Sequence, residues 1–167
     1  VVLHDPFAPE LDAVRDSKEI PESKRDVVFE LIQGIAASIS VVIVPASEVD
    51  LRGVHAANLD GMRRAVQGLS VEPAYVLTDG YAIEGLGLPN LAVWKGDQVV
   101  VSISAASVIA KVTRDRIMRE MDSDFPLYGF AGHKGYITAA HTKALNEHGP
   151  CVEHRTSFAN VAALIHK

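Results

Sequence analysis

The sequence predicts an α/β domain, because apolar β-branched runs alternate with longer segments in which apolar residues recur at helical spacing. The spacing from Val27 to Ile35 predicts a first helix over about residues 21–37. The β-branched run from Ile39 to Val44 ends at Pro45, which predicts a strand. The chain has 167 residues, 48% of them hydrophobic, and its sequence contains no repeat or linker. We therefore expect a single domain over residues 1–167.

The rest of the chain continues this alternation of strands and helices. Helical spacing predicts a helical region that starts at residue 47, runs through Gly53 and continues from Val54 to about residue 68. Strands are predicted at residues 74–78 and 91–94, and a long helix at about residues 102–121. Proline and glycine mark residues 125–137 as a loop, after which Thr138 caps a short helix that ends at Gly149. A last helix is expected to start near Ser157.

Composition excludes some classes of protein but does not identify the function of this one. The net charge of −5 does not by itself suggest a nucleic-acid-binding protein, although basic residues concentrate on the long helix and in the last third of the chain. The single cysteine, Cys151, excludes an intramolecular disulfide and fits a reducing compartment. The sequence has no apolar run long enough to span a bilayer and no visible secretory signal. We therefore expect a cytoplasmic protein without a membrane partner.

Two aspartates are the leading candidates for chemistry. Asp79 follows a predicted strand, so it stands at the carboxyl edge of a sheet, where α/β folds place their active sites. Asp115 lies on the long helix, one turn beyond Lys111. Two carboxylates on rigid elements suit a divalent-metal site for phosphodiester chemistry. The structural alternatives are an Asp-Gly turn for Asp79 and a surface ion pair for Asp115.

Seven short motifs occur in a fixed order over most of the chain. They are Leu77-Thr78-Asp79-Gly80, Lys95-Gly96-Asp97, Ile103-Ser104-Ala105-Ala106-Ser107, Ala110-Lys111-Val112-Thr113-Arg114-Asp115-Arg116, Tyr128-Gly129-Phe130, His133-Lys134-Gly135-Tyr136 and His154-Arg155-Thr156-Ser157-Phe158. In this order, and with Asp16-Ser17-Lys18 before them, the motifs resemble those of bacterial ribonuclease HII. The resemblance implies a ribonuclease H-like fold, with a mixed central sheet flanked by helices and a helical C-terminal part.

The resemblance also assigns roles to individual residues. It implies that Asp79 and Asp115 are catalytic ligands of Mg²⁺ or Mn²⁺, and that Tyr136 stacks on the sugar beyond a ribonucleotide. Further substrate contacts are implied for a set of basic and hydroxyl residues: Lys134, His133, Lys95, Ser107, Lys18 and Arg155. Each of these has an ordinary structural alternative as a turn residue, a helix cap, a solvated cation or a contact that stabilises the C-terminal helix.

The function implied by the resemblance is that of an endonuclease. Such an enzyme hydrolyses the phosphodiester on the 5′ side of ribonucleotides embedded in a DNA duplex or in an RNA/DNA hybrid, using two metal ions. The products are a 3′-hydroxyl and a 5′-phosphate, as needed for ribonucleotide excision and primer removal. The resemblance further implies RNA/DNA hybrids and ribonucleotide-containing duplexes as partners, and a monomeric state.

One departure from the family pattern changes these expectations for this chain. The family opens with a strand carrying Asp-Glu-Ala-Gly-Arg-Gly, which supplies two further carboxylates, and the sequence contains no such segment. We therefore expect an N-terminally incomplete domain that lacks the first strand and is inactive as it stands. The first alternative is a catalytically inert nucleic-acid-binding fragment. The second is a small-molecule α/β enzyme using Asp79, although the sequence lacks a glycine-rich phosphate loop.

Overall fold

The computed structural model describes residues 1–165, which form two compact units. The first unit comprises Val1–Val42 and Leu59–Val112, and the second comprises Ile43–Asn58 and Thr113–Lys167. The prediction of an α/β fold is confirmed, because helices and parallel and antiparallel strand pairs are all present. The single domain over residues 1–167 stays a prediction. Among the residues described, no helix is both long and apolar enough to cross a membrane.

The first unit begins with a short antiparallel strand pair next to a helix. Strand β1 (Val2–Leu3) pairs with β2 (Ala36–Ser38), and helix α1 (Glu22–Ile35) connects them after a 3₁₀ turn at Pro9–Ala13. The predicted first helix is confirmed, and it starts directly after Pro21, which cannot continue a helix in the N-terminal direction. The strand predicted at residues 39–44 is wrong, because this segment has no regular structure. Its side chains Val41 and Ile43 are exposed rather than packed on a sheet.

Two helices and a parallel strand pair follow. Helices α2 (Ala46–Arg52) and α3 (Val54–Gln67) confirm the predicted helical region, but the structure divides it in two at Gly53, whose φ of 79° is favourable for glycine. Strands β3 (Val76–Asp79) and β4 (Asn90–Val93) pair in parallel, with Asp79 opposite Val93. The described strands therefore form two separate two-stranded sheets, one antiparallel and one parallel.

The longest helix forms the centre of the first unit's core. After the single turn α4 (Gly96–Val99), helix α5 runs over Val101–Asp124, as the sequence predicts. Buried residues of α5 up to Val112 pack against the buried face of α1 and the residues before it. The core consists of Leu11, Val14, Ile20, Val28, Phe29, Ile32, Ala105, Val108, Ile109 and Val112. This packing fixes α1 and the first three turns of α5, which flank the candidate site.

The second unit is helical apart from its loops. It contains α6 (Phe130–His133), α7 (Ala139–His148) and α8 (Ala159–Ile165), so the predicted loop at 125–137 includes one short helix. The hydroxyl of Thr138 accepts a hydrogen bond from the backbone N–H of His141 over 3.1 Å, which confirms the predicted cap of α7. Such a cap contributes about 1 kcal/mol. The core of this unit contains Met118, Tyr128, Phe130, Ala144 and Leu145.

Candidate active site

Asp79 is the last residue of β3 and lies at the carboxyl end of the parallel strand pair. Gly80 follows at a φ of 74°, and its N–H donates to the carbonyl of Val93 over 3.0 Å, so the chain turns directly after the carboxylate. The backbone N–H of Gly96 donates to Oδ1 of Asp79 over 2.9 Å. Since Asp79 is exposed, this one hydrogen bond orients a carboxylate that remains open to solvent and ligands. The position is the one that the sequence predicts for it.

Two buried acids and one exposed lysine lie in the same unit as Asp79. The Lys18 ammonium lies 3.3 Å from Oδ2 of Asp97 and 3.8 Å from Oδ2 of Asp16, and both carboxylates are buried. The hydrogen bond to Asp97, followed by the charges of Asp16, Asp97 and Asp79, raises the pKa of Lys18. Lys18 itself is 79% exposed, so its charge is held at the surface beside three carboxylates. The structure therefore brings the predicted residues Lys18 and Asp79 into one electrostatic neighbourhood.

Hydroxyl groups connect these acids to the start of α5. The Oγ atoms of Ser17 and Ser107 are 2.9 Å apart, so the two hydroxyls share a hydrogen bond. Ser104 donates to the carbonyl of Asp97 over 2.7 Å and so fixes the segment that carries this acid. Ser107 thus contacts the Asp-Ser-Lys motif as well as lying on the helix. Sequence reasoning gave Asp16 and Asp97 little weight, although both occur within motifs that it identified.

Lys95 occupies the turn between β4 and α4. Its φ of 52° is left-handed, a conformation that is uncommon for residues other than glycine, and its side chain is exposed. Because Lys95 directly precedes Gly96, the donor to Asp79, the strained turn aims the Gly96 N–H at the carboxylate. The site prediction for Lys95 stays a prediction, but the turn that carries it is part of the Asp79 environment.

In the second unit, Asp115 and Tyr136 have opposite environments. Asp115 lies buried on α5, whereas Tyr136 is 63% exposed and presents its ring to solvent. Tyr136 follows Lys134 and Gly135, whose φ values are 50° and 80°. The guanidinium of Arg114 donates to the Lys134 carbonyl over 3.2 Å. An exposed aromatic side chain on a fixed turn is suited to stacking on a nucleic-acid sugar or base.

Three predicted substrate contacts in this unit also make internal contacts. The Lys134 ammonium donates to the carbonyl of Ala131, and Nε2 of His133 lies 2.8 Å from the carbonyl of Tyr128. The guanidinium carbon of Arg155 lies 3.8 Å from the centre of the Phe158 ring. Burial is the main cause of the lowered pKa of Arg155. The charge of Arg114 lowers this pKa further, and the charge of Asp50 acts in the opposite direction. Arg155 therefore has a structural contact near the start of α8.

The metal expected from the sequence is matched by the donor chemistry of Asp79 but not by a complete ligand set. Carboxylate oxygens are suitable ligands for Mg²⁺ or Mn²⁺. Within residues 1–165, however, no group of three or more His, Cys, Asp or Glu residues is arranged to hold a metal ion. The described residues therefore provide individual oxygen ligands, and any complete coordination shell needs further donors.

Comparisons with known proteins identify the family of the chain. The sequence model of the ribonuclease HII family matches residues 7–161. Ribonuclease HII of Salinispora arenicola is 56% identical over 163 residues, which are 98% of this chain and 61% of that protein. Ribonuclease HII of Mycolicibacterium smegmatis is 58% identical over 151 residues, which are 90% of this chain and 56% of that protein. The chain thus spans less than two thirds of the length of these relatives.

A solved structure supports the same conclusion for the fold. The crystal structure of the ribonuclease H2 from Pyrococcus horikoshii OT3 matches with a TM-score of 0.76 and 21% sequence identity. The match covers 92% of this chain and 81% of that chain. At this identity the likeness concerns the fold alone, whereas the family follows from the sequence match over residues 7–161. The chain belongs to the ribonuclease HII family and has its ribonuclease H-like α/β fold.

Proposed function

We propose that this chain is the larger part of an endonuclease that cuts a nucleic-acid strand on the 5′ side of an embedded ribonucleotide. The observation that carries the proposal is the match to the ribonuclease HII family over residues 7–161. The exposed Asp79 carboxylate at the carboxyl end of a parallel strand pair, and the exposed Tyr136 ring, support it. The substrates proposed are RNA/DNA hybrids and DNA duplexes that contain ribonucleotides.

In this proposal, Asp79 and Asp115 are each a carboxylate ligand of a divalent cation, Mg²⁺ or Mn²⁺. When bound, the cation lowers the pKa of a coordinated water and stabilises negative charge on phosphate oxygens. The Gly96 N–H holds one oxygen of Asp79, so the other oxygen points in a fixed direction. Lys18 supplies a positive charge that binds a phosphate. Its ammonium also lies close to the carboxylates of Asp16 and Asp97, so it compensates the negative charge of these two buried acids.

Selectivity for a ribonucleotide next to DNA is assigned to Tyr136. Its exposed ring stacks on the sugar that follows the ribonucleotide, and a deoxyribose is preferred there because it has no 2′-hydroxyl to collide with the ring. Lys134, His133, Lys95 and Ser107 are proposed as phosphate contacts. Several of them also bond to backbone or side-chain groups of the protein, so substrate binding requires those bonds to be shared or exchanged.

The experiment that tests the proposal incubates three end-labelled duplexes of identical base sequence with the chain preceded by a segment that carries Asp-Glu-Ala-Gly-Arg-Gly. One is all DNA, one contains a single ribonucleotide, and one is an RNA/DNA hybrid. With Mg²⁺ or Mn²⁺ we expect cleavage 5′ of the ribonucleotide, leaving a 3′-hydroxyl, and no cleavage of the all-DNA duplex or in EDTA. Equal cleavage of the all-DNA duplex contradicts the proposal.

A second candidate function is nucleic-acid binding without chemistry. It is favoured by the observation that residues 1–165 contain no group of three or more metal-ligating side chains. Fluorescence anisotropy of the same duplexes with the chain as it stands measures its affinity, and both candidates predict binding without cleavage there. Adding an N-terminal segment with Asp-Glu-Ala-Gly-Arg-Gly then tests whether carboxylates supplied by such a strand are what cleavage needs. Restored cleavage at the ribonucleotide supports the endonuclease proposal, whereas continued binding without cleavage supports the binding function.

A further inference from the structure

The backbone around Tyr136 is hydrogen-bonded to two histidine side chains. The Tyr136 carbonyl oxygen lies 3.0 Å from Nδ1 of His141, and the Gly135 N–H donates to Nδ1 of His133 over 3.1 Å. The two imidazole rings are stacked, with centres 4.0 Å apart and planes 9° from parallel. Lys134 has a left-handed φ of 50°, which is unfavourable for a residue with a side chain. The turn therefore depends on contacts such as these to stay in one conformation.

His141 is in turn bonded to a second buried histidine. Its Nε2 lies 3.1 Å from Nε2 of His154, and Nδ1 of His154 accepts the backbone N–H of Cys151 over 3.0 Å. The Cys151 Sγ lies 3.1 Å from the same nitrogen. The result is a continuous series of hydrogen bonds from the Cys151 backbone through two imidazoles to the Tyr136 carbonyl. We call this series the imidazole relay.

For neutral rings, only one placement of the protons satisfies the imidazole relay. A carbonyl oxygen can only accept, so Nδ1 of His141 must carry its proton and its Nε2 must accept. His154 must therefore donate through Nε2 and accept through Nδ1, which matches the Cys151 N–H that points at it. Each ring fixes the tautomer of the next one. A change at His154 is thereby transmitted to the donor that holds Tyr136.

Burial favours the neutral state that the imidazole relay requires. His141 and His154 are only 6% and 7% exposed, and the aromatic rings of Tyr128 and Phe130 lie against them. Loss of hydration lowers the pKa of both histidines, and their mutual repulsion lowers that of His154 further. The hydrogen bond from His141 to the Tyr136 carbonyl opposes the effect of burial on the pKa of His141, and burial remains the larger cause.

We propose that His141 and His154 are positioning residues that set the direction of the Tyr136 ring for its contact with the substrate sugar. This inference rests on the function proposed above. His141 acts on the Tyr136 carbonyl directly, and His154 acts through His141. Neither residue is proposed to touch the substrate. The role requires the specific tautomers described, which a packing role does not.

The first test measures the tautomers in the unmodified full chain. Long-range ¹H–¹⁵N NMR correlations distinguish protonated from unprotonated ring nitrogens. We expect His141 to carry its proton on Nδ1 and His154 to carry its proton on Nε2 near neutral pH. An Nε2-protonated His141, or an Nδ1-protonated His154, overturns the proposal. This measurement does not depend on whether any variant folds or on whether any duplex is bound.

The second test measures affinity for the single-ribonucleotide duplex relative to the RNA/DNA hybrid, by anisotropy in Ca²⁺. We expect His141→Ala to reduce this relative affinity to the same extent as Tyr136→Ala, within a range of roughly 5- to 100-fold. The double variant should be no worse than either single one, because both act through one contact. His141→Asn keeps a donor at the position of Nδ1 and should retain relative affinity within about threefold of the parent.

His148→Asn is the matched control, since it places the same change on the same helix at an exposed position. It should leave relative affinity unchanged. Additive losses in the double variant, or a His141→Asn variant as impaired as His141→Ala, overturn the positioning role. If Tyr136→Ala itself changes nothing, the substrate contact in the proposed function fails, and the tautomer measurement still decides whether the imidazole relay exists.

Discussion

Gly96 offers a direct test of how the Asp79 carboxylate is held. A Cβ atom added at Gly96 lies 2.5 Å from Cδ1 of Ile103 and 3.4 Å from both Cγ2 of Ile103 and Cβ of Val93. The shortest of these distances is well below the van der Waals contact distance of two carbon atoms. Because Ile103 is buried, Gly96→Ala must displace either the backbone at residue 96 or the Ile103 side chain. Overpacking of this kind costs about 1–3 kcal/mol. The displaced group is the one whose N–H bonds to Asp79 over 2.9 Å.

A compensating substitution follows from the same distances. Ile103→Val removes Cδ1, the atom that collides, and alone costs about 0.5–1.5 kcal/mol for the lost methyl group. In the double variant the methyl group introduced by Gly96→Ala fills the space that Cδ1 leaves, so the two losses should not add. We expect a favourable coupling free energy of about 1–2 kcal/mol. In the chain preceded by an Asp-Glu-Ala-Gly-Arg-Gly segment, cleavage that falls in Gly96→Ala should recover in the double variant, because the backbone N–H at this position returns to Asp79.

Urea unfolding followed by circular dichroism measures the three variants and the parent chain. Gly34→Ala is the control, because its added Cβ has no neighbour within 4 Å and it lies within α1. That variant should be neutral or more stable, by up to about 1 kcal/mol, since alanine favours a helix over glycine. Strict additivity of Gly96→Ala and Ile103→Val, or full stability of Gly96→Ala alone, refutes the reasoning.

Three further predictions concern substrate contacts and pH. Tyr136→Ala should reduce cleavage at a single ribonucleotide more than cleavage within a long RNA stretch, by about 1–3 kcal/mol in kcat/KM, while Tyr75→Ala, at another exposed tyrosine, should not. Lys18→Gln should weaken binding to all duplexes alike and reduce the slope of log affinity against log salt by about 1, as measured by anisotropy. Because burial lowers the pKa of His141 and His154 below 6.5, the unfolded state binds more protons as the pH falls through that value. The free energy of unfolding should therefore be highest above about pH 7 and decrease as the pH falls below about 6.5 in urea titrations, and a curve that rises toward acid contradicts this assignment.

Local sequence patterns predicted those elements that are determined by residues close to them in the sequence. Helix α1 follows from apolar spacing after Pro21, and the cap of α7 follows from Thr138. Asp79 stands at the end of β3 because an apolar run is followed there by Asp-Gly. These signals lie within a few residues of the structure that they determine.

The features that sequence reasoning missed depend on distant partners. The segment 39–44 has strong β propensity, but the strand forms at Ala36–Ser38 instead. These are the residues that pair with β1, and the pairing partner decides where a strand forms. Lys18 and Asp97 are 79 positions apart, and His141 and His154 are 13 apart with a loop between them. No local pattern specifies such pairs. The motifs identified the right segments without showing which side chains bond to one another.

The most direct test of the account is single-turnover cleavage of a duplex with one ribonucleotide, in Mg²⁺, by the chain preceded by an Asp-Glu-Ala-Gly-Arg-Gly segment. If both residues are metal ligands as proposed, Asp79→Asn and Asp115→Asn should each nearly abolish cleavage, and the double variant should be little worse than either single one. Asp124→Asn, at the exposed end of the same helix as Asp115, should cleave like the parent. Near-normal cleavage by either Asp79→Asn or Asp115→Asn would contradict the assignment of that residue as a metal ligand.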